Sequence, residues 1–223
     1  MKNRNNSLPS HHLKEVHPVR LSRIINEFTK GFNFLKRYNK TVTFFGSSRA
    51  KPSAKYYQEA VKLAGLLSRK GYTIVTGGGQ GIMEAANKGA YLAGSNSVGI
   101  NIILPKGEKR NKYVKDGISF HYFFVRKVML TFACQAYIFL PGGFGTLDEF
   151  FEIVTLIQTR KVKKIPIILI HKDYWQPLLQ FIEEVVYKKK KAISKKDMKI
   201  YYLVNSVEEA VELLDKKYLQ KKK

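Results

Sequence analysis

The stretch FLPGGFGTLDEF, residues 139–150, sets a glycine-rich turn directly beside acids. A helix opening near Thr146 would present free backbone N–H groups and the positive end of its dipole at Gly143, Gly145 and Thr146. That arrangement favours a phosphate. Further along, Leu147, Phe150, Phe151 and Val154 form the stripe expected to be buried, with Asp148, Glu149, Glu152 and Thr155 on the polar side. Asp148, in the first turn, is expected to do no more than compensate the dipole. Glu149 and Glu152 lie three apart and should face the opening. A phosphate gripped by the turn, with a carboxylate a little further along, suits a ligand whose middle becomes cationic, as a ribosyl oxocarbenium ion does.

Such residues need a scaffold, and the chain alternates two periods. Leu21–Tyr38 repeats apolar residues at three- and four-residue steps, an amphipathic helix. TVTFFGSSR, YTIVTGGG, SVGINIILP, ISFHYFFV, AYIFLPGG, KIPIILI and IYYLV are short β-rich runs. Helical patterns fall at 55–70, 81–93, 126–134, 146–160, 173–189 and 206–218. Alternation of this kind predicts an α/β fold, a single doubly wound and mainly parallel sheet with helices on both faces. Its ligands should lie beyond the carboxyl ends of the strands, where GSSR, TGGGQG and PGGFGT would converge on one crevice. No linker divides the chain. Residues 19–218 are expected as one Rossmann-like domain, between a mobile basic tail at 1–18 and a short basic tail at 219–223.

TGGGQGIME does not carry a dinucleotide fingerprint. Counting from Gly77, the sixth position is Ile82, and the region about 20 residues on, GINIILP, holds no acid for a ribose hydroxyl. No G-x-x-x-x-G-K-S/T loop is present either. Three adjacent glycines still allow close backbone approach to a ligand.

The bulk composition narrows the class. With 223 residues, 44% hydrophobic and 13% aromatic, the chain has ample material for a core. No apolar run reaches the roughly 18–20 residues that span a bilayer. The first 20 residues lack a secretory apolar segment. One cysteine, Cys134, allows no internal disulfide and is expected as buried filler. A cytoplasmic location is the expectation. The net charge of +23 rests on 31 Lys and 9 Arg, many of the lysines in KKKKAISKK and the terminal KKK. Arg forks would be the stronger sign of phosphate recognition, so the charge is read as solvated surface and nucleic acid as an unlikely partner. The five histidines show no metal-ligand spacing; no metal or cofactor is called for, and His121 is expected as an ordinary strand residue.

PGGFGTLDE, together with FFGSSR, TGGGQGIMEAANKGA, YFFVRKVML and TLIQTRK, resembles the LOG ("lonely guy") family, the cytokinin riboside 5′-monophosphate phosphoribohydrolases. The resemblance runs over roughly residues 25–205. GIMEAANKGAYLAG differs from the plant members and looks like a bacterial-type branch, which bears on the prenyl preference rather than on the bond cleaved. The resemblance implies hydrolysis of the N-glycosidic bond of an adenosine-type 5′-monophosphate to free base and ribose 5-phosphate. It places a catalytic pair on Arg126 and Glu149 and substrate contacts on Glu108, Lys127, the Gly143–Glu149 loop and Thr155. Ser47, Gly78, Gly79 and Gly142, in the strand-end loops, complete the candidate substrate-binding residues. Members are often labelled lysine decarboxylases, yet nothing in this sequence argues for a pyridoxal-phosphate site.

From the chemistry alone, an ionised carboxylate beside a ribosyl cation stabilises the transition state and can deprotonate water. Glu149 is the candidate and Glu152 the runner-up. A guanidinium stays protonated, so Arg126 would act electrostatically on the departing base. Two further classes stand beside this one. A non-catalytic nucleotide-binding module would not need the Arg126/Glu149 pair. A nucleic-acid-associated protein would carry a reader motif, and none is found. Assembly is expected as at least a homodimer, because Ile153 and Ile157 fall off the predicted stripe and call for a second partner.

Overall fold

The computed structural model describes residues 18–103, 110–132 and 134–220. The expected amino-terminal tail therefore lies outside the described residues except for Pro18, as does Glu108. Strands Thr41–Phe45 (β1), Thr73–Thr76 (β2), Ser97–Ile102 (β3), Asp116–Phe120 (β4), Ala136–Phe139 (β5), Ile167–Ile170 (β6) and Tyr201–Val204 (β7) form one sheet. Its order is β4-β3-β2-β1-β5-β6-β7. Every neighbouring pair is parallel. The apolar, β-branched runs suit this arrangement, because central strands covered on both faces need no polar alternation. β1, β2, β5 and β6 are buried along their whole length.

Helices Lys55–Arg69 (α2), Ile82–Leu92 (α3) and Val207–Gln220 (α7) cover one face. Helices Pro18–Leu35 (α1), Phe123–Phe132 (α4), Phe144–Gln158 (α5) and Lys172–Phe181 (α6) cover the other. The patterned stretch 173–189 is α6 followed by a π-helical continuation, Ile182–Lys189. On the second face Phe139 meets Phe150 and Trp175 edge to face, and Phe150 lies tilted against Trp175, all three fully buried. Burial of each such side chain contributes ~1.5–3 kcal/mol.

Two boundaries differ from the sequence pattern. ISFHYFFV predicts a strand through Val125, but β4 ends at Phe120 and α4 begins at Phe123, one turn ahead of the expected start. A continuous apolar run does not by itself separate strand from buried helix. What decides is α1: the Glu27 carboxylate accepts the amides of His121 (2.8 Å) and Tyr122 (3.1 Å), which stops the ladder and leads into the helix. Likewise α5 begins at Phe144 rather than Thr146, with Gly143 as its cap.

The stripe on α5 is also rotated. Thr146, Glu149, Phe150, Ile153 and Ile157 are buried, while Phe151 is exposed. Apolar residues also lie off the predicted stripe, at Ile153, Leu156 and Ile157, so periodicity could not fix which side meets the sheet. Ile153 and Ile157 thus find their partners within the protomer, which removes the reason given above for a second subunit.

The chain leaves β1 towards β2, β3 and β4, then returns to place β5 on the other side of β1. The loops following β1 and β5 therefore diverge and leave a crevice between them, the topological switch point at which such sheets bind ligands.

Candidate active site

Three glycine-rich loops meet at that crevice and are tied by backbone hydrogen bonds. The Ser47 amide donates to the Pro141 carbonyl (2.9 Å), and the Ile82 amide donates to the Ser47 carbonyl (2.9 Å). Gly81 sits at φ 68°, and a Cβ there would fall on the Ser47 carbonyl, so both its conformation and its surroundings demand glycine. Gly78 and Gly79 turn away from the crevice. Their carbonyls accept from the Asn111 side chain (3.1 and 2.9 Å), itself linked to Asn87 Oδ1 at 3.0 Å. Thr76 Oγ1 donates to Asn87 Oδ1 (2.7 Å) and accepts the Gly78 amide (2.8 Å), closing a buried polar network.

Between the loops lies a cavity of about 710 Å³. Of the candidate residues, Ser47, Arg126, Gly143, Gly145, Thr146 and Glu149 line it. Gly142 is set behind the wall, where a Cβ would strike Thr146. Gly143 and Gly145, by contrast, have open space where a side chain would be. The first i→i−4 bond of α5 runs from the Leu147 amide to the Gly143 carbonyl (3.1 Å), so the amides at Phe144 and Gly145 precede the helical ladder. Those are the groups that a helix end offers to an anion.

Glu149, only 5% exposed, stands one turn inside the same helix. Its Oε2 is buried with no hydrogen-bond partner among the described residues. Desolvation pushes its pKa up to about 7; the Lys127 and Arg126 cations pull the other way, and the Glu152 and Asp148 carboxylates add to the rise. Arg126 lies in the first turns of α4. Its Nε donates to the Ile100 carbonyl at 2.9 Å, its guanidinium lies 5.8 Å from the Phe123 ring centroid, and Nη2 packs against Gly77.

Lys127 turns the other way. Its Nζ donates to Asp148 Oδ2 (2.6 Å) and forms an ion pair with Glu152 Oε2 (2.7 Å). Burial alone would lower the Lys127 pKa, but the two carboxylates outweigh it and raise it. Asp148 therefore has a specific partner beyond the helix dipole, and Glu152 faces Lys127 rather than the cavity. Thr155 is exposed on α5, away from the cavity lining. Cys134 is partly covered, and desolvation pushes its thiol up to about 12.

Sequence patterns alone did not single out Gly77, Met83, Ile102, Phe123, Leu130 or Phe144, which also line the cavity. The first glycine of TGGG carried a signal for Gly77. The apolar ones carried none, because each belongs to an ordinary helical or strand pattern.

A family model described as "Possible lysine decarboxylase" matches residues 83–214. The chain is 35% identical over 158 residues to the probable cytokinin riboside 5′-monophosphate phosphoribohydrolase LOGL5 of Oryza sativa subsp. japonica, covering 68% of this chain and 62% of that protein. To the cytokinin riboside 5′-monophosphate phosphoribohydrolase LOG7 of Arabidopsis thaliana it is 31% identical over 157 residues, 67% of this chain and 70% of the relative. The molybdenum cofactor binding protein of Rippkaea orientalis shares the fold, with a TM-score of 0.59 and 22% identity over 80% of this chain and 97% of that one. The chain belongs to the LOG family, whose model carries the decarboxylase description.

Proposed function

We propose that the protein hydrolyses the N-glycosidic bond of adenosine-type nucleoside 5′-monophosphates, giving free base and ribose 5-phosphate. What supports this is the pairing, in one cavity, of the N-terminus of α5 with the buried Glu149 carboxyl, whose Oε2 has no hydrogen-bond partner among the described residues. The names of the relatives support the same activity.

The 5′-phosphate sits against the amides of Gly143, Phe144 and Gly145, and the ribose lies across Glu149. The bond from C1′ to the base nitrogen breaks with its electron pair leaving on the base, where the Arg126 guanidinium donates hydrogen bonds to the developing negative charge. Arg126 keeps its own protons. Water attacks C1′ and passes a proton to Glu149, and that proton then reaches the departed base. A carboxyl poised near neutrality is suited to both halves of this exchange. A lysine decarboxylase would need an amine with a lowered pKa for a Schiff base. Lys127, the lysine beside the site, is instead held charged by two carboxylates.

Assembly as a homodimer through α1, α4 and α5 is part of the proposal. Phe124, Phe132 and Phe151 expose large apolar surface on these helices, and Phe144 is 93% exposed at the cavity mouth.

The test is a chromatographic assay for free base with AMP, N6-isopentenyl-AMP, CMP, GMP and the matching unphosphorylated nucleosides. Release of base from an adenosine-type monophosphate, with adenosine turned over far more slowly, is the expected result. Nucleotide binding without release of base would overturn the hydrolase and leave a binding module.

A further inference from the structure

A loop that binds anions through its amides has a complementary requirement. Each amide shares a planar trans peptide with the preceding carbonyl, and the two point in opposite directions. A carbonyl turned towards a phosphate would repel it, so the carbonyls need donors elsewhere.

Three consecutive carbonyls of this loop have such donors. Pro141 accepts from the Ser47 amide (2.9 Å). Gly143 accepts from the amides of Thr146 (3.0 Å) and Leu147 (3.1 Å). The middle one, Gly142, accepts from the Tyr174 hydroxyl at 2.7 Å. The outer two are held by backbone, so their orientation follows from the fold. The middle peptide is held by a side chain from a different βα unit, at a glycine whose backbone is the least restricted of any residue. Holding the Gly142 carbonyl towards α6 aims the Gly143 N–H the opposite way. Gly143 lines the cavity and Gly142 does not.

Tyr174 is itself well fixed. It sits in the first turn of α6, its amide bonded to the His171 carbonyl (3.1 Å) and its ring edge-on to the fully buried Trp175 (centroids 5.0 Å apart). His171, at φ 80°, caps that helix, and its Nε2 lies 2.5 Å from Glu59 Oε2 on α2.

We infer that Tyr174 is a positioning residue for the anion-binding loop: by holding the Gly142 carbonyl it aims the Gly143 amide at the ligand's phosphate. The inference rests on the proposed function, in which this loop takes the 5′-phosphate.

Tyr174→Phe removes the hydroxyl and keeps the ring. The control is Tyr38→Phe, which removes a hydroxyl bonded to Asp116 Oδ2 (2.5 Å) at β4, an edge strand. Ribose 5-phosphate binding is measured by calorimetry on the wild type and both variants, beside AMP kinetics. Tyr174→Phe should weaken ribose 5-phosphate roughly three- to tenfold, the scale of one hydrogen bond, with the loss on AMP appearing in KM more than in kcat. Tyr38→Phe should leave binding unchanged. Wild-type affinity in Tyr174→Phe, or an equal loss in Tyr38→Phe, overturns the positioning role and leaves the phosphate site standing. Failure of the wild type to bind ribose 5-phosphate overturns the phosphate site and this inference with it.

Discussion

The Glu149 carboxyl, ordinarily near 4.5, is raised to about 7 chiefly by desolvation, and that shift has consequences for both rate and stability. If the carboxylate is the working form, turnover should rise with pH through about 7. Glu149→Gln should lower turnover at least about a hundredfold, the scale of one lost electrostatic stabiliser, with ribose 5-phosphate affinity retained. The stability effect has the opposite sense. Between pH 4.5 and 7 the folded chain keeps the Glu149 proton while the unfolded chain has released it, so this residue lowers stability progressively as pH rises. The full effect above pH 7 is on the order of 3 kcal/mol. Glutamine carries no such proton. The melting temperature of Glu149→Gln relative to wild type should therefore climb from pH 4.5 to 7 and then level off, and a constant difference would show that the carboxyl titrates normally.

The start of α5 is the element on which the phosphate end of the site depends. A methyl group at Gly142 would lie 2.6 Å from Thr146 Cβ, too close for a side-chain rotation of Thr146 to relieve. The first turn of α5 would have to shift. Gly142→Ala should cost about 1–3 kcal/mol in thermal or denaturant unfolding, the usual scale of overpacking. It should also raise KM for the monophosphate, because the displaced turn carries the amides. Unchanged KM in a destabilised variant would separate Gly142 from the anion site. On the other wall, Arg126 owes its place to α4, whose start is set by Glu27 on α1. One wall is thus fixed by a helix cap and the other by a glycine that makes room for a neighbour.

For the whole molecule, the α1, α4 and α5 side carries the exposed aromatics. Phe28 and Phe32 on α1 touch Phe124 and Phe132 on α4, yet Phe132 remains 60% exposed. An isologous contact across this side would cover such surface twice with one patch. The net charge of +23 opposes association only over the screening distance of about 8 Å at physiological salt. Light scattering at micromolar concentration should give at least twice the 25.6 kDa of one chain. A fully active particle of one-chain mass would remove the dimer.

The sequence alone determined the alternation of strand and helix, and with it a parallel sheet whose strand-end loops carry GSSR, TGGGQG and PGGFGT. Short β-rich runs and glycine breaks are local properties, so a local pattern suffices to read them. It also marked Arg126 and Glu149 through the resemblance of their motifs to a family. Tertiary structure alone decided which way each helix faces. On α5, sheet packing buried Glu149, Ile153 and Ile157 and turned Phe151 outward. On α4, a carboxylate nearly a hundred residues away fixed where the strand stopped. Lys127 could pair with Asp148 and Glu152, and Tyr174 could reach Gly142, only once separate βα units stood side by side. The raised pKa of Glu149 belongs to the same class, since desolvation depends on what surrounds a residue in space and not on what precedes it in the chain.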